Sequence, residues 1–284
     1  MVNTLAELDK AGIEHFGTYA TEEDSQKLFI KEVNGLKIGF VQYTYGTNGI
    51  PVPQDKKWSI SMIDKEKMKD DLERLKNENC DIISVTMHWG EEYRLTASEE
   101  QKELADYLFE NGADLILGSH THCLEPMEKR EITLPDGTKK EGFIIYSLGN
   151  FCSGQEHANS RQSVILDLKV TKKGDTGKLH IDYVTYTPIY MKNYWNGSNL
   201  RSPHKFKLMD IEAEIAKYEA GDTSIGSTLY NTLKKELKEV QTIVGDEINP
   251  EAAPNNTSSE APTASEAETK DASNPEEKQN TTSN

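Results

Sequence analysis

Asp81-Ile82-Ile83-Ser84-Val85-Thr86-Met87-His88-Trp89-Gly90, followed by Asp114-Leu115-Ile116-Leu117-Gly118-Ser119-His120-Thr121-His122, decides the reading of the fold. In each segment a short apolar run bounded by turn residues reads as a buried strand, and each run ends in histidine. Each strand follows a helical pattern. Asp64 to Asn79 carries Met68, Leu72 and Leu75 at helical spacing behind an Asp64 N-cap. Ser98 with Gln101 forms a capping box ahead of Leu104, Ala105, Leu108 and Phe109, and Gly112 supplies the stop. Helix and strand thus alternate, so crossover helices build a sheet whose successive strands deliver histidines to one rim. Ligands of open α/β sheets bind in the crevice at that rim. His120 and His122, two apart in extended backbone, are expected to point to one side. A lone histidine after a strand also reads as an ordinary loop residue. Three imidazoles at adjacent strand ends read as a metal cluster.

Working outward, Leu28 to Val33 and Leu36 to Thr44 flank Asn34-Gly35, a strong hairpin signal. The outlet of the second run, Tyr43 to Gly49, leaves at the histidine rim and reads as a substrate-facing loop. Upstream, Asn3 to Lys10 reads as the end of a helix stopped by Gly12, and Ile13 to Gly17 as a short strand with His15 structural. Beyond His122 the pattern turns to hairpins. Glu128 to Leu134 and Lys139 to Ser147 flank Pro135-Asp136-Gly137, and Ser163 to Val170 and Lys178 to Pro188 flank Gly174 to Gly177. A second sheet packed on the first follows from that change. Asp210 to Glu219 and Ser227 to Val244 are helical, the latter with Leu229, Leu233, Leu237, Val240 and Val244 on one face. His157, His180 and His204 receive no role, and the loop begun by Trp195-Asn196-Gly197 no assignment.

Composition narrows the function classes. The chain of 284 residues carries a net charge of −16, which excludes nucleic acid or an anionic membrane bound through a basic surface. No run has the length of a membrane span, and no signal peptide is read at the start. Cys80, Cys123 and Cys152 lack the spacing of a zinc or disulfide framework. Cys123 and Cys152 lie near the histidines, as soft ligands or, the reading preferred, as small buried hydrophobes. From Asn249 to Asn284 there is no aromatic or large aliphatic residue, so this tail is expected to be disordered.

Three motifs carry a family resemblance: His88-Trp89-Gly90-Glu91-Glu92-Tyr93, Gly112 to His122, and Tyr146-Ser147-Leu148-Gly149-Asn150-Phe151. Together they resemble the CapA family of capsule and poly-γ-glutamate biosynthesis proteins, similar in fold to calcineurin-like metallophosphoesterases. The resemblance implies an α/β fold, the four-layer α/β/β/α metallophosphatase sandwich, over residues 1–190. A helical extension over 191–248 and the acidic tail over 249–284 complete the expected division. It implies His88, His120 and His122 as metal ligands for Mn, Fe, Zn or Ni, and His88, Glu92 and Asn150 as catalytic positions. Glu92 matches the family pattern better than Glu91, and Ser119 stands where many members carry a further histidine. The implied partner is an anionic capsule polymer or its synthesis and export machinery, at the cell envelope or outside the cell.

The family's earlier motifs are Gly-Asp, Asn-Leu-Glu and Asn-Asn-His. None is found upstream of His88. The expectation is therefore an N-terminally truncated family domain, either a fragment or a shortened product. Its hydrolase-type site would be incomplete, and the alternative role is that of a non-catalytic surface scaffold.

Overall fold

The computed structural model describes residues 1–174, 179–193 and 206–254. Met1–Ala253 forms one compact unit. Its elements in chain order are α1 (Val2–Lys10), α2 (Glu22–Ser25), β1 (Phe29–Val33), β2 (Leu36–Thr44), α3 (Lys65–Asn77), β3 (Ile82–His88), α4 (Glu99–Glu110) and β4 (Leu115–Ser119). There follow β5 (Met127–Thr133), β6 (Lys139–Ile145), β7 (Gln162–Lys172), β8 (Leu179–Asn193), β9 (Phe206–Asp210), α5 (Ile211–Glu219) and α6 (Gly226–Val244).

The first sheet has the order β1-β2-β3-β4-β6-β5. Strands β2, β3, β4 and β6 run parallel, and β1 and β5 are antiparallel edges. The β1–β2 hairpin turns at Asn34 and Gly35 with φ of 51° and 81°, the left-handed pair that matches strand twist. Local signals set the crossover helices as expected. Asp64 accepts from the Lys67 amide to start α3, and Ser98 and Gln101 close a reciprocal capping box on α4.

Side chains alternate across the parallel strands and sort into two cores. Ile83, Val85, Met87, Ile116 and Ile144 pack under Met68, Leu72 and Leu75 of α3 and Leu104, Leu108 and Phe109 of α4. Leu115, Leu117, Phe143 and Ile145 face the other way, into a core shared with Val164, Ile181 and Val184 of the second sheet. That sheet has the order β7-β8-β9 and is antiparallel. Helices α5 and α6 add Ile211, Ile215, Leu233, Val240 and Val244 to the same core. The result is the expected α/β/β/α sandwich of calcineurin-like metallophosphatases.

Several details differ from the sequence expectation. Ile13 to Gly17 forms no strand: Thr18 makes one isolated bridge to Ile60, and Phe16 stacks on Phe29 at 4.9 Å. Aromatic packing over the β1–β2 hairpin holds Phe16, and two backbone hydrogen bonds, Ser61 N to Gly17 O and Tyr19 N to Ser59 O, pin the chain at its end without a strand forming. The division placed at residue 190 falls inside β8, and the helices beyond it share the core of the second sheet. Residues 249–254 are structured, with a 3₁₀ turn at Pro250–Ala252 and the Asn249 amide donating to the Asp182 carbonyl at 3.0 Å. The remainder of the expected tail, the Trp195 loop and His204 lie outside the described residues.

Candidate functional site

Register aligns the rim. Thr44 of β2 pairs with His88 of β3, and His88 pairs with Ser119 of β4, so three parallel strands end in one row. His88 closes β3, and His120 and His122 follow β4 directly. Gly118 permits this. A Cβ there would lie 1.7 Å from the Tyr146 carbonyl oxygen, so only glycine lets β4 press against the chain leaving β6.

The His120–His122 segment is not extended. His120 and His122 have φ of 103° and 61°, left-handed values uncommon for residues with a side chain. The turn is held from outside: the Trp89 amide donates to Ser119 O at 3.1 Å, and the Tyr93 amide to Thr121 O at 2.7 Å. Buried Thr121 donates its hydroxyl to Cys123 O at 2.8 Å. The two imidazoles nevertheless converge, with ring centres 6.1 Å apart, and His88 lies 4.7 Å from His120. Strand alternation was the wrong reason for a juxtaposition that a tight turn produces.

Burial lowers the pKa of His88, and positive charge on His120 or His122 would lower it further. Burial also lowers that of His120, opposed by Glu92 and reinforced by His122. Both shifts favour the neutral ring, the form that ligates metals. Glu92 Oε1 stands 3.8 Å from His122 Nε2, and Asn150 Oδ1 stands 3.0 Å from His122 Nδ1. The structure therefore brings Glu92 and Asn150 to the histidines. Glu91 pairs instead with Arg94 at 3.0 Å on the exposed side of the loop.

Other groups at the site were missed or only half read. Tyr45, in the loop expected to face a substrate, packs 4.2 Å from His120 and stacks on His88 at 6.0 Å, while its amide donates to His88 O. Tyr93 lies between His122 at 5.9 Å and His157 at 3.9 Å, so His157 joins the rim. The position of Tyr45 just beyond the Thr44–His88 pairing was the available signal; nothing in the sequence marked His157. Cys123 is buried and its thiol is pushed up to about 11, chiefly by burial, which keeps it protonated. Cys152, read as buried, is exposed because it follows the rim loop outward.

Imidazoles sharing one ion at about 2.1 Å have centres on the order of 5 Å apart. The observed 4.7 and 6.1 Å bracket that spacing. Among the described residues, however, no group of three or more His, Cys, Asp or Glu side chains has the geometry of a metal-holding cluster. The donors fit a divalent ion in kind and in approximate spacing, not as a closed set.

An α/β/β/α sandwich with histidines along the carboxyl rim of its parallel strands defines a metallophosphatase-like protein. The profile of the family described as "Bacterial capsule synthesis protein PGA_cap" matches residues 1–155, and the chain belongs to that family. It is 30% identical over 192 residues to the PGA biosynthesis protein CapA of Bacillus subtilis (strain 168), covering 64% of this chain and 45% of that one. It is 27% identical over 175 residues to the capsule biosynthesis protein CapA of Bacillus anthracis, covering 61% and 40%. The matched stretch is thus less than half the length of either relative. Among solved structures, Haemophilus influenzae NAD nucleotidase (NadN) aligns with 15% identity and a TM-score of 0.35, over 79% of this chain and 39% of that one.

Proposed function

We propose that this chain serves the making, export or anchoring of an anionic cell-envelope polymer, a capsule or poly-γ-glutamate, and that His88, His120 and His122 hold a divalent ion at its site. The observation that carries the reading is the convergence of three imidazoles at one strand rim. The names of the two CapA relatives support the polymer, and the envelope or cell exterior is the proposed location. No helix among the described residues is long and apolar enough to cross a membrane.

Imidazole donors suit Mn, Fe, Zn or Ni. A bound ion of this kind polarises an oxygen of the substrate and lowers the pKa of a bound water. His88 stands at the rim as a ligand beside the reacting group. Glu92 is the carboxylate placed to accept a proton or balance charge, and Asn150 acts through His122. A pair of ions needs several bridging oxygens, and Glu92 is the one carboxylate described within reach of these rings. Among the described residues the hydrolase-type site is therefore incomplete, and it takes about one ion, weakly. With a net charge of −16, the protein would meet a polyanion through such a cation or through the polymer's synthesis and export partners.

A second reading, a non-catalytic surface scaffold of the synthesis or export complex, is favoured by the lack of a closed donor set among the described residues. The test is to incubate the zinc- or manganese-loaded chain with a generic phosphodiester and with poly-γ-glutamate. Metal-dependent cleavage abolished in His88→Ala supports the enzyme. Polymer binding without cleavage supports the scaffold. Neither binding nor cleavage contradicts both.

A further inference from the structure

Two hydrogen-bond chains run from the histidines to backbone carbonyls. A carbonyl oxygen accepts and never donates, so it fixes the direction of every bond behind it. Ser119 donates its hydroxyl to Met87 O at 3.2 Å. With its one proton on Met87 O, the hydroxyl offers a lone pair to His88 Nδ1, 3.3 Å away. Nδ1 of His88 must then carry the ring proton.

The second chain reaches the same end by different groups. Asn150 Nδ2 donates to Ser160 O at 3.1 Å and to Gln155 Oε1 at 3.3 Å. Ser160 is fully buried, and its own hydroxyl is tied to His157 O at 2.8 Å, so the anchor is fixed. With its nitrogen committed to that carbonyl, the Asn150 amide turns its oxygen to His122 Nδ1 at 3.0 Å. An amide oxygen only accepts, so Nδ1 of His122 also carries the proton.

A neutral imidazole has one ring proton, so in both rings the lone pair sits on Nε2. Free in water, the neutral ring prefers the opposite tautomer. At His122 that lone pair faces Glu92 Oε1 at 3.8 Å. A second ring proton makes this pair attractive, and so does a divalent ion about 2.1 Å from each atom, which spans such a gap.

We infer that Ser119 and Asn150 are positioning residues, each anchored on a backbone carbonyl, that hold His88 and His122 in the Nδ1–H tautomer and leave on each Nε2 the lone pair that would ligate a divalent cation. The last clause rests on the proposed metal site; the tautomers rest on the hydrogen bonds alone. Partners of this kind set ring orientation and ligand basicity, and their loss typically weakens metal affinity 10- to 100-fold.

The test uses the full chain with nitrogen-15 histidine, stripped of metal with a chelator, near pH 8.5, about two units above the ordinary imidazole pKa. Long-range proton–nitrogen correlation separates protonated from bare ring nitrogens. The native chain should show Nδ1–H for His88 and His122. Ser119→Ala should move His88 alone toward Nε2–H, Asn150→Ala should move His122 alone, and Ser119→Thr should restore the native pattern. In each variant the unaffected histidine reports that the fold is intact. Nε2–H at either native ring, or a Ser119→Thr variant behaving like Ser119→Ala, overturns the assignment. A zinc titration of the same samples should show each alanine variant binding about 10-fold or more weakly. Native Nδ1–H tautomers without zinc binding would remove the metal and keep the relays. Zinc binding by Nε2–H rings would do the reverse.

Discussion

Glu125 offers the sharpest test of how the ground beneath the site is built. It is fully buried three residues after His122, between the histidine turn and β5. One carboxyl oxygen accepts from Gln101 Nε2 at 2.7 Å, and the other is buried with no partner among the described residues. Gln101 also closes the α4 capping box and lies against Gly90, where an added Cβ would come within 2.8 Å of it. Burial pushes the Glu125 carboxyl up to about 7, with the Gln101 bond opposing. An unfolded glutamate titrates near 4.5, so the folded state binds the extra proton between those values. Stability from this group is fully present below about pH 4 and is lost as pH rises through about 7. At 1.36 kcal/mol per unit the total loss is about 3 kcal/mol. Glu125→Gln keeps an acceptor for Gln101 and cannot ionise. The variant should therefore gain about 3 kcal/mol relative to the native chain between pH 4 and pH 8.5. Denaturant melts of both chains across that range measure the difference directly. A difference that does not change with pH would refute the reasoning.

Two further perturbations follow from the same packing. Gly118→Ala puts a methyl group 1.7 Å from Tyr146 O, a backbone clash that side-chain movement cannot relieve. Calorimetry should show a cost of about 3 kcal/mol or more, and an unchanged melting temperature would mean that β4 and the β6 outlet separate easily. Deleting residues 255–284 should leave Tm unchanged, because that stretch holds no large apolar side chain to bury; a substantial drop in a thermal melt would show that it packs on the folded unit.

The sheet and its rim were legible because buried parallel strands write themselves as apolar runs, and the runs ending at His88 and Leu117 are bounded by clear helix caps. The Asn34-Gly35 hairpin and the Ser98–Gln101 box are local chemistry, readable without tertiary knowledge. The turn at His120 to His122 was not readable. Its left-handed residues are histidines, and the bonds that enforce it come from Trp89 and Tyr93 on another segment. The same holds for the anchors of Asn150, since Gln155 and Ser160 reach it through a loop without periodicity. The apolar face of α6 was visible in Leu233, Val240 and Val244, but its destination on the second sheet was not. Ile13 to Gly17 misled because a run this short, with Phe16 in it, serves aromatic packing as well as a strand.

The central claim is that these three imidazoles hold a divalent ion, and metal content after purification tests it most directly. The chain and its His120→Ala/His122→Ala double variant are expressed with Mn, Fe, Zn and Ni supplied, desalted, and analysed by elemental mass spectrometry. The account predicts about one ion per native chain, released by mild chelation, and essentially none in the double variant. An unchanged metal content in the double variant would contradict it.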